Sequence, residues 1–551
     1  MSTGNTTVIR PAAPALGTLR RVILYLLLFA LVSLAASGVS GLLGMLFSAG
    51  DAIAFNDSSS LALAMALALV GGPLGAVVFW ASWRLLADHA ERRATAWGIY
   101  VSAMYATSLL TATGFGVGAL AALAGGDTGS WKSSLATGLS WAAVWVWHRW
   151  MLHHRTRGPL ALAKVPHVLG TVIGLVIGLG AGTGALAVLF EQALGTHGEL
   201  AVIGAPWWRA ALALLVWAAG GILVWWWHWI REGTRELHTK LAGVGLVAVG
   251  VGGSAILALG GAGVLLFVLL RMGLDRSDPL PVLLEPAPEA LAAALLGTLS
   301  WLYHARTAGN RPEPVPAAAG LAVSGIALAA AASGIGVVVN AALSTATTQL
   351  GGTDPTELLL AGLSSLAIGG PLWWFTWHPT RPADPRGRRI YLVLVFGISA
   401  VVALVTLLVI GFRLFEFMLG DSGGAGLLER VRAPLGLLVA TGLVAGYHFV
   451  LWRHARSAGA GDEAAPEPGR GIREVMLVAG EDARELAAAI HAHTGANVTV
   501  LRRHDGAEST LSPDRLFRVL GPVAAERILL VAGPADRLEI IELAADIRGR
   551  D

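Results

Sequence analysis

The residues best suited to chemistry are histidines and arginines that directly follow an aromatic residue. Six such pairs recur along the chain, 64 to 80 residues apart. Imidazole is a common ligand of transition metals and of haem iron, so the four histidines among them are candidate ligands. The pairs are Trp83-Arg84, Trp147-His148, Trp227-His228, Tyr303-His304, Trp377-His378 and Trp452-Arg453.

The alternative interpretation of these pairs is a membrane-interface motif. Aromatic rings favour the headgroup level of a bilayer, and His or Arg beside them can extend toward the headgroups. Each pair ends an apolar stretch beside a basic loop, whereas haem ligands in membrane bundles lie deeper on facing helices. We therefore predict an interfacial repeat motif with no cofactor, while a haem site stays open as an alternative.

Another group of histidines lies just after the second of these pairs. His153, His154 and His167 share one loop near His148. A metal site there would need a further ligand, and no neighbouring carboxylate or cysteine in the sequence supplies one. The sequence therefore predicts no metal site. No Ser-His-Asp set or carboxylate pair stands out either, so no catalytic residue is predicted.

The composition indicates which kind of structure must position these residues. Of 551 residues, 55% are hydrophobic and 14% charged, against roughly 25% charged in soluble domains. Apolar runs long enough to cross a bilayer as helices recur along the chain. The chain has no cysteine, which excludes disulfides, thiolate metal sites and cysteine nucleophiles. The net charge of +3 is attributed to the loops, and no nucleic-acid partner is predicted.

The predicted fold is an all-α polytopic membrane bundle of about twelve helices, built as six two-helix repeats, with a small C-terminal α/β domain. Arg20 and Arg21 precede the first run, which is too long for a signal-peptide core and is taken as a retained span. The predicted helices cover about residues 22–48, 62–84, 98–124, 134–152, 167–190, 208–230, 241–270, 288–305, 317–344, 357–377, 390–412 and 433–452.

The loops after even-numbered helices are rich in cations, and those after odd-numbered helices are poorer. Arg92 and Arg93 follow the second helix, for example, whereas the loop after the first holds Asp51 and Asp57. Because basic loops stay on the cytoplasmic side, both termini are predicted to be cytoplasmic. The predicted regions are a cytoplasmic tail (1–20), the transmembrane repeats (21–456), a flexible linker (457–471) and a cytoplasmic α/β domain (472–551).

The odd-numbered helices carry small residues at helical spacing, as Gly174, Gly178 and Gly182 show. Such residues let helix backbones approach closely, so these helices are predicted to face the bundle interior. We find no charged residue in the middle of any predicted span. Proton-coupled transport usually needs such groups, and it is therefore disfavoured. Arg413 and Glu416, near the end of one helix, are predicted to pair.

The C-terminal residues alternate between strand and helix patterns, which predicts a mostly parallel sheet. Phosphate binding at the turns after Gly480 and Gly533 is disfavoured, because acids already occupy the helix starts. A domain that binds a cytoplasmic protein partner is the better interpretation. Strands are predicted at 474–478, 497–501 and 527–531, and helices at 482–493, at 512–520 and from Pro534 onward.

Two of the six units also carry a Gly-Pro step. The segment Gly369-Gly370-Pro371-Leu372-Trp373-Trp374 leads to Trp377-His378, and Gly71-Gly72-Pro73 leads to Trp80 and Trp83-Arg84. In these segments and the aromatic pairs that follow them, residues 20–456 resemble a bacterial membrane-domain family that is known only as a domain of unknown function. The resemblance implies a bacterial inner-membrane setting, with the lipid bilayer as surroundings, and it implies no activity.

Taken together, these patterns predict a non-enzymatic scaffold, assembly factor or sensor whose residues 472–551 contact a cytoplasmic protein. A transporter or channel for a neutral or apolar solute is the alternative, because tandem repeats of twelve helices are typical of transporters. Units with an even number of helices would repeat in parallel rather than inverted orientation.

The orientation can be tested with reporter fusions. A reporter that is active only in the cytoplasm should be active after residue 456 and inactive in the loop after the first helix, because cations accumulate on the cytoplasmic side. A C-terminal fusion that is active only outside the cytoplasm would overturn the predicted topology.

Overall fold

The computed structural model contains two compact units, Met1–Gly446 and Tyr447–Asp551. The described residues are 13–49, 58–127, 129–195, 206–275, 277–346, 354–377, 385–420, 426–462, 472–480, 483–503, 513–520, 523, 525–533 and 537–543.

Twelve long helices occupy the described residues up to 462, in the order predicted. Their bounds are α1 Ala13–Phe47, α2 Ser58–Leu85, α3 Thr95–Gly125, α4 Trp131–Leu152, α5 Val165–Leu194, α6 Trp207–Arg231, α7 Lys240–Leu274, α8 Ala287–Gly309, α9 Val315–Ser344, α10 Pro355–Thr376, α11 Pro385–Met418 and α12 Leu427–Asp462. Helix α12 continues into the first part of the predicted linker, and residues 463–471 lie outside the described residues.

Eleven of these twelve helices, counted within the described residues, are long and apolar enough to cross a membrane. The exception is α4, a helix of 22 residues. Its five tryptophans, with a lysine, an arginine and several hydroxyl side chains, make it less apolar than the others. The chain is therefore a multi-pass helical membrane protein.

Neighbouring helices pair as hairpins, and the hairpins overlap. Helices α1 and α2, α3 and α4, α5 and α6, α7 and α8, and α9 and α10 form the five most extensive contacts between helices. The first four odd-numbered helices also contact the even-numbered helix of the following hairpin: α1 with α4, α3 with α6, α5 with α8 and α7 with α10. The predicted tandem two-helix organisation is confirmed.

Glycines permit the closest helix contacts. A Cβ atom on Gly174 of α5 would overlap the backbone of Trp225 in α6, and one on Gly221 of α6 would overlap the backbone of Gly178. Any larger residue would force these helices apart. Because lipid provides no hydrophobic force to drive helices together, such backbone proximity contributes strongly to their association.

The last pair of helices is arranged differently. Helix α11 lies against α9 through Tyr391, whose hydroxyl is 3.4 Å from the Ser324 hydroxyl. Helix α12 approaches α9 where Gly436 meets Gly336. Much of the apolar surface of α11 is not covered by other parts of the protein. The prediction that odd-numbered helices face the bundle interior is therefore wrong for this helix. Its neighbouring hairpins cover only one side of it.

Ion pairs lie at the ends of these last helices. Glu416 accepts hydrogen bonds from Arg413 at 2.9 Å, as predicted, and from Arg430 of α12 at 3.2 Å.

The loops after even-numbered helices hold one another through arginines. Arg311, which follows α8, donates to the carbonyl oxygens of Leu237 and, at 2.6 Å, Arg235 in the loop after α6. Arg92, in the loop after α2, donates to the carbonyl of Gly158 in the loop after α4 at 3.2 Å. These bonds fix loops that carry several histidines and acids.

The C-terminal domain contains a four-stranded sheet in the order β2-β1-β3-β4. Strands β1 (Glu474–Ala479), β2 (Asn497–Arg502) and β3 (Arg527–Ala532) are parallel, and β4 (Leu538–Leu543) is antiparallel to β3. The described helices are α13 (Ala483–Thr494) and α14 (Pro513–Leu520). The mostly parallel sheet is confirmed.

The helix predicted from Pro534 onward is wrong where the structure describes that segment. Residues 538–543 form β4 instead, because their side chains alternate and send Leu538 and Ile540 to the core. The N–H of Gly533, just after β3, donates to the carbonyl of Arg537, just before β4, at 2.8 Å.

The core of this domain lies on one face of the sheet. Alternate residues of β1 and β3 are buried there with Leu486 and Ile490 of α13 and Leu516 and Leu520 of α14. The described helices therefore pack on that face alone.

The glycine contacts lead to a matched pair of substitutions on one helix. Gly174→Ala should destabilise the protein by about 1–3 kcal/mol, because the added methyl overlaps the α6 backbone. Gly180→Ala on the same helix should be neutral or stabilising by up to about 1 kcal/mol, since nothing lies within 4 Å of the added atom. Thermal unfolding of both variants in the same detergent measures the difference. Equal midpoints would contradict the close contact.

Candidate functional site

Three histidines of the repeat motif are buried at the ends of even-numbered helices. His148, His228 and His304 have 0%, 1% and 3% of their surface exposed. In each ring Nδ1 lies 2.8 Å from the carbonyl oxygen four residues earlier. A carbonyl only accepts, so Nδ1 carries the proton in each ring, and in the neutral ring Nε2 is an acceptor.

Tyrosines of α3 satisfy two of these Nε2 atoms. The Tyr100 hydroxyl donates to His148 of α4 at 3.0 Å, and the Tyr105 hydroxyl donates to His228 of α6 at 2.8 Å. Helix α3 is thus hydrogen-bonded both to α4, its partner in the same hairpin, and to α6 of the next hairpin. Among the described residues, Nε2 of His304 has no hydrogen-bond partner.

Glycines make room for two of the rings. Gly170 of α5 lies against the ring of His228, and Gly250 of α7 lies against the ring of His304. A side chain at either glycine would overlap the imidazole. The structure therefore shows that a small residue on the odd-numbered helix and a histidine on the even-numbered helix fit together within a hairpin.

These contacts correct one part of the interfacial prediction. The side chains of His148, His228 and His304 do not extend to lipid headgroups, because backbone carbonyls hold all three rings inside the protein and tyrosines hold two of them. The tyrosine bonds also occupy the Nε2 atoms that haem or a metal would need at His148 and His228.

The other motif residues lie nearer the surface, with one exception. Arg84 is exposed and covers the ring of Trp80 at 3.8 Å, and Arg453 is exposed. Trp377 is buried and stacks on Tyr391 with 4.8 Å between ring centroids. Their place at a membrane interface stays a prediction, and His378 lies outside the described residues. Trp83, Trp147, Trp227 and Trp452 are half-buried, and Tyr303 is exposed.

A carboxylate and two histidines meet where α4, α5 and α6 end or begin. Glu232 directly follows α6, and its side chain is 12% exposed. Its Oε1 accepts hydrogen bonds from Arg149 at 2.7 Å and from Trp227 at 3.2 Å. Its Oε2 lies 3.6 Å from Nε2 of His153 and 3.6 Å from Nδ1 of His167. We call Glu232, His153 and His167 the His–Glu cluster.

The charge of this carboxylate is set by two opposing effects. Burial disfavours ionisation, but the hydrogen bond and positive charge of Arg149, together with the two neighbouring histidines, outweigh it and hold the pKa of Glu232 below its usual value. Glu232 is therefore ionised at neutral pH.

The sequence analysis missed Glu232 because it sought a ligand close to His153 and His167 along the chain. The signal was an acid in a loop rich in cations, next to Arg231. The loop after α2 repeats the arrangement, since Glu91 has an 8% exposed side chain and accepts from Arg20 at 2.9 Å and Arg21 at 2.8 Å. Buried acids in basic loops are thus a recurring feature.

The fold defines a polytopic helical membrane protein made of overlapping hairpins. Residues 21–147 and 317–443 match the model of a family described as Domain of unknown function (DUF5671). The two matched segments correspond to α1–α4 and α9–α12, so each match spans two hairpins. This confirms the resemblance to a repeated membrane domain of unknown function. No curated protein sequence and no solved structure matches the chain.

The Tyr105–His228 bond can be measured by a double-mutant cycle. Tyr105→Phe should destabilise the protein by about 1–3 kcal/mol, because it leaves Nε2 of His228 buried without a donor. In a His228→Leu background the same substitution should have a much smaller effect. Unfolding of the four proteins in one detergent gives the coupling energy. Additive effects would show that the bond contributes nothing.

Proposed function

We propose that this protein is a non-enzymatic scaffold, assembly factor or sensor of the bacterial inner membrane, with both termini in the cytoplasm. Its C-terminal domain would bind a protein partner through the face of the sheet that the described helices leave open. We call this the open face. The observation that carries the proposal is this half-covered, mostly parallel sheet.

The open face is apolar at its centre. Met476 and Val478 of β1 and Leu529 and Val531 of β3 point away from the core and are partly exposed. Register pairs Val478 with Leu501 and Leu529 with Ile541, which places these side chains on the same face. Leu501 is 47% exposed and Ile541 is 42% exposed. Such a surface is costly to leave in water.

Parallel sheets are normally covered on both faces, which is why the open face indicates a missing layer. Strands of six residues give a face roughly 20 Å long, which matches an α-helix of about 13 residues. Glu539 is exposed on this face opposite Val531. The partner we propose is therefore an amphipathic helix of another protein, with an apolar side and a basic residue toward Glu539.

The membrane bundle supports a non-transporting role. In the described spans, ion pairs lie at helix ends, as those of Glu91 and Glu416 do. The buried histidines are tied to tyrosines and backbone carbonyls rather than arranged along a path. Proton-coupled transport usually needs ionisable groups within the membrane.

A carrier for a neutral or apolar solute is the second candidate. It is supported by an apolar cavity of about 410 Å³ that α1, α2 and α4 line, with Val32, Gly72 and Trp147 in its wall. Such a cavity accepts an apolar molecule without a charged partner.

The test is purification of the full-length protein in a mild detergent after cross-linking, with mass spectrometry of what it retains. Leu501→Glu and Ile541→Glu each place a charge on the open face, and they should reduce recovery of a stoichiometric partner by about tenfold or more. Val519→Glu is the matched control, because Val519 is 37% exposed but belongs to α14.

Equal partner recovery from all three variants would exclude the open face as the docking surface. A protein that purifies alone, and then carries an apolar solute across liposomes, would replace this proposal with the carrier.

A further inference from the structure

We propose that the His–Glu cluster binds a divalent transition-metal ion of the zinc type. The ligands would be Nε2 of His153, Nδ1 of His167 and Oε2 of Glu232. This site is independent of the open face and of the partner proposed for it.

The three ligand atoms are spaced for one ion. Oε2 of Glu232 is 3.6 Å from each histidine nitrogen, and all three atoms lie within 4.8 Å of one another. An ion that binds nitrogen and oxygen at about 2.1 Å in tetrahedral geometry separates its ligands by roughly 3.4 Å. A small closure of side chains would therefore bring all three atoms into coordination.

Two of the ligands are already oriented for a metal. Nδ1 of His153 donates to the carbonyl of Arg149 at 2.8 Å, which leaves the unprotonated Nε2 directed at the cluster. Oε1 of Glu232 is held by Arg149 and Trp227, which leaves Oε2 free to coordinate. Hydrogen bonds to the outer atoms of ligands are a regular feature of metal sites, because they fix the tautomer and the orientation.

The third ligand is a buried polar atom that lacks a hydrogen bond. The His167 side chain is 5% exposed, and within the described residues its Nδ1 has no hydrogen-bond partner. The 3.6 Å separation from Glu232 is too long for a hydrogen bond. An unsatisfied buried nitrogen is costly, and an ion at the cluster would satisfy it.

The cluster is also accessible. A groove of about 810 Å³ has Arg149, His153 and Trp227 in its wall, so one of the three ligands lines a groove that is open to the surroundings. Three protein ligands leave a fourth position for water or another small ligand. Two imidazoles with one carboxylate favour zinc, nickel or copper over magnesium or calcium. The guanidinium of Arg149 next to Glu232 weakens cation binding, so the ion should exchange readily.

The experiment uses the full-length protein, purified in detergent without a histidine tag and freed of metal by chelation. Zn²⁺ is titrated by equilibrium dialysis in excess Mg²⁺, and bound zinc is measured by elemental analysis. One ion per chain is expected. His153→Ala should weaken binding by about tenfold or more. This substitution carries little risk to folding, because the His153 side chain is 48% exposed.

His154→Ala is the matched control. His154 is the next residue in the same groove and lies against Trp83 and Trp150, outside the cluster. It should bind zinc as the unmodified protein does. A second variant, Glu232→Gln, should also lose affinity, and its unfolding midpoint without zinc checks that it is folded. Equal affinities in the His153 and His154 variants, or no stoichiometric zinc in the unmodified protein, would overturn the proposal.

Discussion

Backbone contact between helices, made possible by glycine, is the constraint on which the rest of this structure depends. In lipid the tails are as apolar as the side chains, so helices associate through close packing and hydrogen bonds. Gly174 and Gly221 bring α5 and α6 together at backbone distance. The same contact places α6 so that His228 fits over Gly170 and meets Tyr105. The ends of α4, α5 and α6, and therefore the His–Glu cluster, follow from this packing.

Polar groups in this bundle fix how the helices are aligned, whereas their small apolar residues alone would allow many alignments. A helix of small apolar residues can slide or rotate against its neighbour at little cost. The bonds of Tyr100 to His148 and of Tyr105 to His228 fix α3 against two helices at defined heights. Each satisfied pair penalises every alternative register in which a buried nitrogen or hydroxyl loses its partner. Arg311 and Arg92 have the same effect on the loops.

Much of the fold follows from the sequence, because length and hydropathy determine which segments can cross a membrane. The order of the helices, the tandem units, the pairing of Arg413 with Glu416 and the parallel strands were all predictable in this way. The cluster was not, because Glu232 and His167 are separated by a whole hairpin in the chain. Residues 538–543 were misjudged since a short apolar segment with two acids suits either a helix or an edge strand. Buried histidines resemble interfacial ones in sequence, because their tyrosine partners lie on other helices.

The overlap between hairpins has a consequence for how such a chain can evolve. The odd-numbered helices from α1 to α7 each contact the even-numbered helix of the following hairpin, so each following hairpin docks on its predecessor and in turn presents a docking surface to the next. Duplication of hairpins can therefore lengthen the array without a new kind of interface. The two segments that match the family model each contain two hairpins and are separated by the hairpins of α5 to α8, which fits a history of this sort. Among the described helices, α11 keeps much of its apolar surface exposed, and this is the kind of surface that a docked hairpin covers elsewhere in the array.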